Sequence, residues 1–546
     1  MLDVAQRVRG SGGGRRCAAV LALIGLILVA AVRTDVAPSV GTAADETGSV
    51  PRARPASAPT PDPTETTRRD PTPEPSVRLG LHVTEAELAE WRRRARAGPY
   101  RTQGDAIPNS PGDWDRIVRE KDKFVRDPGE YVWNGPTHGY PGCIINADTW
   151  PTSLEGVPGS KGQEGSPEPI RDAAFYAMVA QPAEAEAILT AVREVLLETA
   201  DSKYNDFAET SRYCRDQSGT GYHPAYQISA WLTKLIFAYD YSQIADPGLW
   251  SASDRRRFLD WITAAAQWYM PQVDLRREGL WNPDGTPSLA AETADGRHSR
   301  VIWSGGPQAR RAQLRYNNHV PRLVRIPVLA GILVGDDEMI GYGRRWVREF
   351  LKVGVYPEGA IADFYRWPGN TGHTTGWKYG MENLGATLVI ADHIARAGDT
   401  SVYEYGTTVG TRDTAGSVPN REGTPGGPKT LHTTLRQQVR YVDELSRPVR
   451  YGCDGCTDPA KRIRSRDDMV GIDRASEWTV LHANVYYRDD YVKAIYMRSL
   501  PGTPPLPEKP RSGQGWIAGG EHGIYPGVNL MFAQMEGEVW PYPRDG

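Results

Sequence analysis

The chain has 546 residues, 39% of them hydrophobic, enough to bury one large core and a smaller one, which excludes a disordered protein. Lys and Arg total 64 against 67 Asp and Glu, a formal charge of -3, so the basic excess of a dedicated nucleic-acid binder is missing. A local cluster of Arg is still able to hold an acidic sugar chain.

At the N-terminus Arg7, Arg9, Arg15 and Arg16 precede an apolar run from Cys17 to Val32 and then the small residues Gly41 to Ala44. This pattern predicts a secretory signal over residues 1–36, or a signal anchor if it is not cleaved, and places the rest of the chain outside the cell. Of the five cysteines, Cys17 falls in this segment, leaving Cys143, Cys214, Cys453 and Cys456 for disulfides in an oxidising compartment. Cys453 and Cys456 have the spacing of half a zinc knuckle, but no second pair accompanies them, so no metal is expected. Residues 37–78 are rich in Pro, Thr, Ser and Ala and read as a flexible or polyproline-like spacer.

From Leu79 the apolar pattern becomes helical and the helices come in pairs. Ile170–Val179 and Ala183–Ala200 form one pair around Pro182; Tyr226–Tyr241 and Ser251–Tyr269 form a second, with Ser251 and Asp254 in a capping box. His319–Val334 and Asp337–Leu351 form a third, joined by Gly335-Asp336, and Tyr379–Ala397 opens a fourth. Such repetition suggests a ring or superhelix of helical hairpins. After Arg466 the runs Thr479–Tyr487 and Tyr491–Arg498 read as a β-hairpin turning at Arg488-Asp489-Asp490, with further strands at Gly515–Ile517 and Val528–Phe532. The expected fold is mostly α: an incomplete (α/α) toroid of paired helices over 79–465, followed by a short antiparallel β-sheet region over 466–546.

The chemistry-bearing residues gather at Tyr316-Asn317-Asn318-His319, Arg366, His373 and Tyr379-Gly380. Removing a carbon-bound proton beside a carboxylate requires that carboxylate to be neutralised, which an Asn amide and an Arg guanidinium can do. A Tyr near positive charge is favoured as phenolate and serves as base and then acid, and His319 or His373 can share the base role. Each residue also has a plainer reading: Asn317-Asn318-His319 as a helix cap, Tyr379 as a packing residue, Arg366 as a surface charge. Trp303, Trp367, Trp377 and Trp281 flank these positions; indoles stack on sugar faces or simply fill a core, and the glycines around Trp367 and Trp377 favour a loop lining a cleft.

These segments resemble known families. Tyr316 to His319, Arg366, and Tyr379-Gly380-Met381-Glu382-Asn383-Leu384 through Ile390-Ala391 look like the catalytic segments of alginate lyases with an (α/α) toroid; Trp231-Leu232 through Tyr239-Asp240 resembles that family's earlier helices. Asp473-Arg474-Ala475, Tyr491 to Ser499, Gly515-Trp516, Gly519 to Tyr525 and Trp540-Pro541 are similar to the start of the β-sandwich region in the chondroitin, hyaluronate and xanthan lyase family. Both resemblances imply β-elimination on a uronic-acid polysaccharide, without cofactor or metal. They imply Asn318, His319, Arg366 and Tyr379 as the catalytic set, with His373 the alternative histidine, and Asn317, Glu382 and the tryptophans at the substrate. The second family's β-region is much longer than the stretch ending at Gly546, so this region is expected to be short or truncated, and Arg462, Arg464 and Arg466 match its extra substrate arginine only weakly. The expected partner is an acidic polysaccharide met by a secreted or cell-surface monomer, with membrane contact only through the anchor. The rival readings are a glycoside hydrolase using Glu358, Asp363 or Glu382, and a non-catalytic glycan-binding protein.

Overall fold

A computed structural model describes residues 76–97, 113–132, 144–145, 167–201, 214–215, 224–277, 316–357, 359–361, 376–408, 428–444, 481–497, 524–532, 535 and 539–543, all within the unit Arg69–Gly546. Helices dominate them: α1 (Glu85–Ala97), α2 (Asp113–Arg126), α3 (Glu168–Ala180), α4 (Ala185–Asp201), α5 (Pro224–Ala245), α6 (Ala252–Arg277), α7 (Val320–Val334), α8 (Asp337–Glu349) and α9 (Gly376–Arg396). Then follow α10 (Ser401–Glu404), α11 (Leu431–Glu444), α12 (Leu481–Tyr487), α13 (Asp490–Met497) and α14 (Val528–Phe532). Two small antiparallel ribbons complete the set: β1 (Ile144–Ile145) with β2 (Cys214–Arg215), and β3 (Gly406–Thr407) with β4 (Lys429–Thr430).

The helix boundaries follow local chemistry. Gln181 ends α3 in the left-handed region, its N–H on the Ala177 carbonyl. Ser251 Oγ accepts the Asp254 N–H at 3.1 Å, the expected cap of α6. The joint between α7 and α8 is two residues long: Gly335, at φ 74°, closes α7 on the Gly331 carbonyl, and Asp336 caps α8 by accepting the Met339 N–H at 3.0 Å. A turn of π-helix, Phe350–Gly354, extends α8 into the buried bridge between Val355 and Ile361.

Helix α7 is the centre of the packing and touches α5, α6, α8 and α9. It runs in the same direction as α9: Asn318, just before α7, meets Glu382 near the start of α9, and further along Val328, Ile390 and Ile394 converge around Gly343. Helix α8 lies antiparallel against both, with Trp346 stacked on Tyr316 and donating its N–H to Thr387 at 3.0 Å. Helices α3 and α5 are parallel as well, joined by Glu168 to Lys234 at one level and Phe175 to Tyr241 at the next. Leu323, Val324, Leu329, Phe350, Leu388 and Ile390 are fully buried between these elements, each contributing about 1.5–3 kcal/mol of burial.

The expected strands at Thr479–Tyr487, Tyr491–Arg498 and Val528–Phe532 are corrected where they are described: α12, α13 and α14 occupy them. The supposed hairpin turn is a helix–helix corner. Arg488 leaves α12 at φ 51°, and Asp489 Oδ1 accepts the N–H groups of Tyr491 and Val492 at 2.9 and 3.2 Å, capping α13. Tyr and Val favour strands only when a pleated surface receives them, and here Val485 and Val492 face a helical core. Gly515–Ile517, the spacer up to residue 75, the N-terminal segment and the Cys453–Cys456 pair lie outside the described residues; at the end of the spacer Arg78 is bridged to Thr84. Among the described residues no helix is long and apolar enough to cross a membrane.

Candidate active site

The parallel course of α7 and α9 brings their N-terminal ends to one place, and the Tyr316-to-His319 turn sits between them. Glu382 and Asn383, consecutive on α9, hold that turn. Glu382 Oε2 accepts the Asn318 Nδ2–H at 2.5 Å, and the Asn383 amide donates to the Tyr316 carbonyl at 2.8 Å. From the third side Glu349 of α8 accepts the Tyr316 hydroxyl at 3.2 Å. Asn317 Oδ1 accepts the His319 N–H at 2.9 Å, an Asx turn, while the N-cap of α7, His319, makes no side-chain cap hydrogen bond.

Burial separates the candidates into two layers. Asn318 is 1% exposed and Glu382 5%, whereas His319 and Tyr379 are half-buried. Tyr379 lies one turn before Glu382 on α9, so the Asn318–Glu382 bond fixes His319 and Tyr379 at the same end of the helix pair. Both stand where two helix N-termini present their positive ends, a field that favours a bound carboxylate.

Sequence reasoning missed Arg322 and Arg325, which α7 carries one and two turns beyond Asn318. Arg322 Nη2 lies 3.7 Å from Glu382 Oε2, and Arg325 Nε donates to Thr233 of α5 at 2.9 Å; both side chains are buried. The signal was present: two cations inside the apolar run Val320–Val334 require buried partners. Arg366, His373, Trp303 and Trp367 lie outside the described residues, as do Trp281, Glu358 and Asp363. Trp377 belongs to the first turn of α9 by its backbone alone. Among the described residues no group of three or more His, Cys, Asp or Glu is arranged to hold a metal ion.

What the arrangement offers is an imidazole and a phenol, each half-buried, at the end of a helix pair held by a buried amide–carboxylate–guanidinium set. No protein-family model, no curated protein and no solved structure matches the chain.

Proposed function

We propose that the chain is a secreted polysaccharide lyase that cleaves a uronic-acid-containing polysaccharide, of alginate, glucuronan, hyaluronan, chondroitin or xanthan type, by β-elimination. Tyr379, as phenolate, takes the C5 proton; the electron pair forms the C4–C5 double bond and expels the 4-linked sugar, whose oxygen takes the proton back from Tyr379. Arg366 neutralises the uronate carboxylate and His319 binds it or serves as base, with His373 the alternative. Because Asn318 is 1% exposed and donates to Glu382, we assign it first to holding His319 at the mouth and second to the carboxylate itself. Trp303, Trp367 and Trp377 supply stacking faces.

The observation that carries this reading is the Asn318–Glu382 bond, which joins two sequence-distant segments with the residue types that elimination needs. The same bond counts against Glu382 as the acid of a hydrolase, because its carboxylate is buried and engaged with Asn318 and Arg322. We read the fold as an incomplete (α/α) toroid, a reading supported by the parallel pairs α3/α5 and α7/α9 and the antiparallel α8 between its neighbours.

The test is ultraviolet absorbance during incubation of the mature chain with a panel of uronic-acid polysaccharides, beside Tyr379→Phe and a chelator control. Absorbance rising with one polymer, lost in Tyr379→Phe and indifferent to chelator, is expected. New reducing ends without absorbance would make the chain a hydrolase, and neither signal would make it a binding protein.

A further inference from the structure

Away from this site, three histidines are buried where both ends of the described chain close on α9. His82 precedes α1, His393 lies on α9 and His482 on α12, and all are fully buried. His82 and His393 ring centroids are 5.3 Å apart. Phe237 stacks on His393, and Tyr525 touches the rings of both His82 and His482. His82 Nε2 bonds the Tyr241 hydroxyl at 2.8 Å and His393 Nδ1 the Val389 carbonyl at 2.8 Å, while His82 Nδ1 and His393 Nε2 are buried with no hydrogen-bond partner.

Charges surround them, and each carboxylate among these is already engaged by Arg396. Arg396 binds Glu87 through both terminal nitrogens at 2.8 Å and Asp392 through Nε at 2.7 Å. Asp392 Oδ1 also accepts the hydroxyls of Tyr542 and Tyr403, and Glu87 Oε2 accepts the Thr84 N–H and hydroxyl. From α3 and α5, Arg171, Asp172 and Asp240 act on Tyr241, whose hydroxyl meets His82. A proton added to either free imidazole nitrogen therefore creates a buried cation next to Arg396 with no uncommitted carboxylate to receive it.

The same junction clasps the chain ends. Trp91 donates to the Met531 carbonyl at 2.8 Å, Arg94 to Leu530 at 3.1 Å, and Ser76 to Trp540 at 3.1 Å. We propose that His82 and His393 form an acid-sensitive latch: neutral, they let residues 76–95 and the C-terminal elements α12 and α14 close on α9, and protonated they release those segments while α7 and α8 stay folded. Burial, the largest cause, holds both imidazoles below their ordinary range, His393 at about 4; Asp392 opposes it at His393, and Arg396 and His482 add to it at both. The open state thus binds the protons, and the latch weakens as pH falls below about 6.5. This inference is independent of the proposed lyase activity.

Native-state hydrogen exchange on the full chain tests it, with rates at pH 7 and pH 5.5 corrected for the intrinsic pH dependence of exchange. In an Asp240→Asn background, which removes the opposing titration of the buried carboxyl that accepts the Leu81 N–H, opening of residues 82–88, α12 and α14 is expected to rise roughly tenfold for each imidazole that must charge, about a hundredfold together, with α7 and α8 unaffected. His393→Phe, which keeps the stack on Phe237, should remove one factor of about ten. If that variant does not fold, His82→Gln, which can still meet the Tyr241 hydroxyl, carries the same expectation. No acceleration at pH 5.5, equal acceleration in every helix, or an unchanged pH dependence in the variant would overturn the latch.

Discussion

Glu382 is the residue on which the candidate site turns, because it holds Asn318 and faces Arg322 in a buried setting. Removing one partner of a buried ion pair strands the other, so Glu382→Ala should cost about 3–5 kcal/mol in chemical denaturation. Glu382→Gln keeps an acceptor for the Asn318 amide and should cost clearly less; equal losses would mean that Glu382 contributes bulk rather than charge and acceptor. Asp240 offers a second test. Burial raises its carboxyl to about 7, against the opposing Leu81 N–H and Arg78. The unfolded carboxyl ionises near the ordinary value, so folding carries a penalty that is absent below about pH 4, grows up to about pH 7 and is constant above. Asp240→Asn retains an acceptor for the Leu81 N–H, seen at 2.9 Å. Its stability relative to wild type should therefore climb between pH 4 and pH 7, by an amount on the order of a few kcal/mol, and then level off. A difference flat with pH would contradict the assignment.

Among elements, the crossing of α7, α8 and α9 is the tightest constraint on the site. A methyl group at Gly343 would meet Val328, Ile394 and Ile390 at 2.5 to 2.8 Å. Gly343→Ala should separate the helices and lower stability by about 1–3 kcal/mol in thermal or urea unfolding, although alanine is the better helix former; a stabilised variant would show that the crossing yields easily. The hairpin nature of α7 and α8 was legible because Gly335 and Asp336 are a stop and a start signal side by side, and Ser251 was legible as a cap for the same reason. Helices α12 and α13 were not. Their Tyr, Val and Ile content reads as strand, and the caps that decide the matter, Arg488 in the left-handed region and Asp489 on two amides, look like a hairpin turn in sequence. The strand expected over 491–497 is a helix for that reason.

In the whole molecule, the pattern of paired helices was readable from periodicity, while the contacts that close the chain on itself were not. Glu87 and Arg396 are 309 positions apart, and Asn318 and Glu382 are 64 apart. Neither spacing is helical or β-like, so only the burial of charge in apolar helices hinted that partners must exist. The candidate site was legible as residue types, Asn318, His319, Tyr379 and Glu382, yet its two-layer construction was not, because exposure is a property of packing. Two regions then have separate roles: the starts of α7 and α9 carry the proposed chemistry, and the far part of α9 carries the histidine latch between the chain ends.

The measurement that bears most directly on the central claim is the ultraviolet time course of wild type and Tyr379→Phe on the same uronic-acid polymers. The account predicts an absorbing unsaturated product from wild type and at least a hundredfold slower formation from Tyr379→Phe, since a positioned acid–base group supplies about 10²–10⁴-fold. Elimination at an undiminished rate in Tyr379→Phe would remove Tyr379 from the mechanism, and no absorbing product from any polymer would contradict the lyase assignment itself.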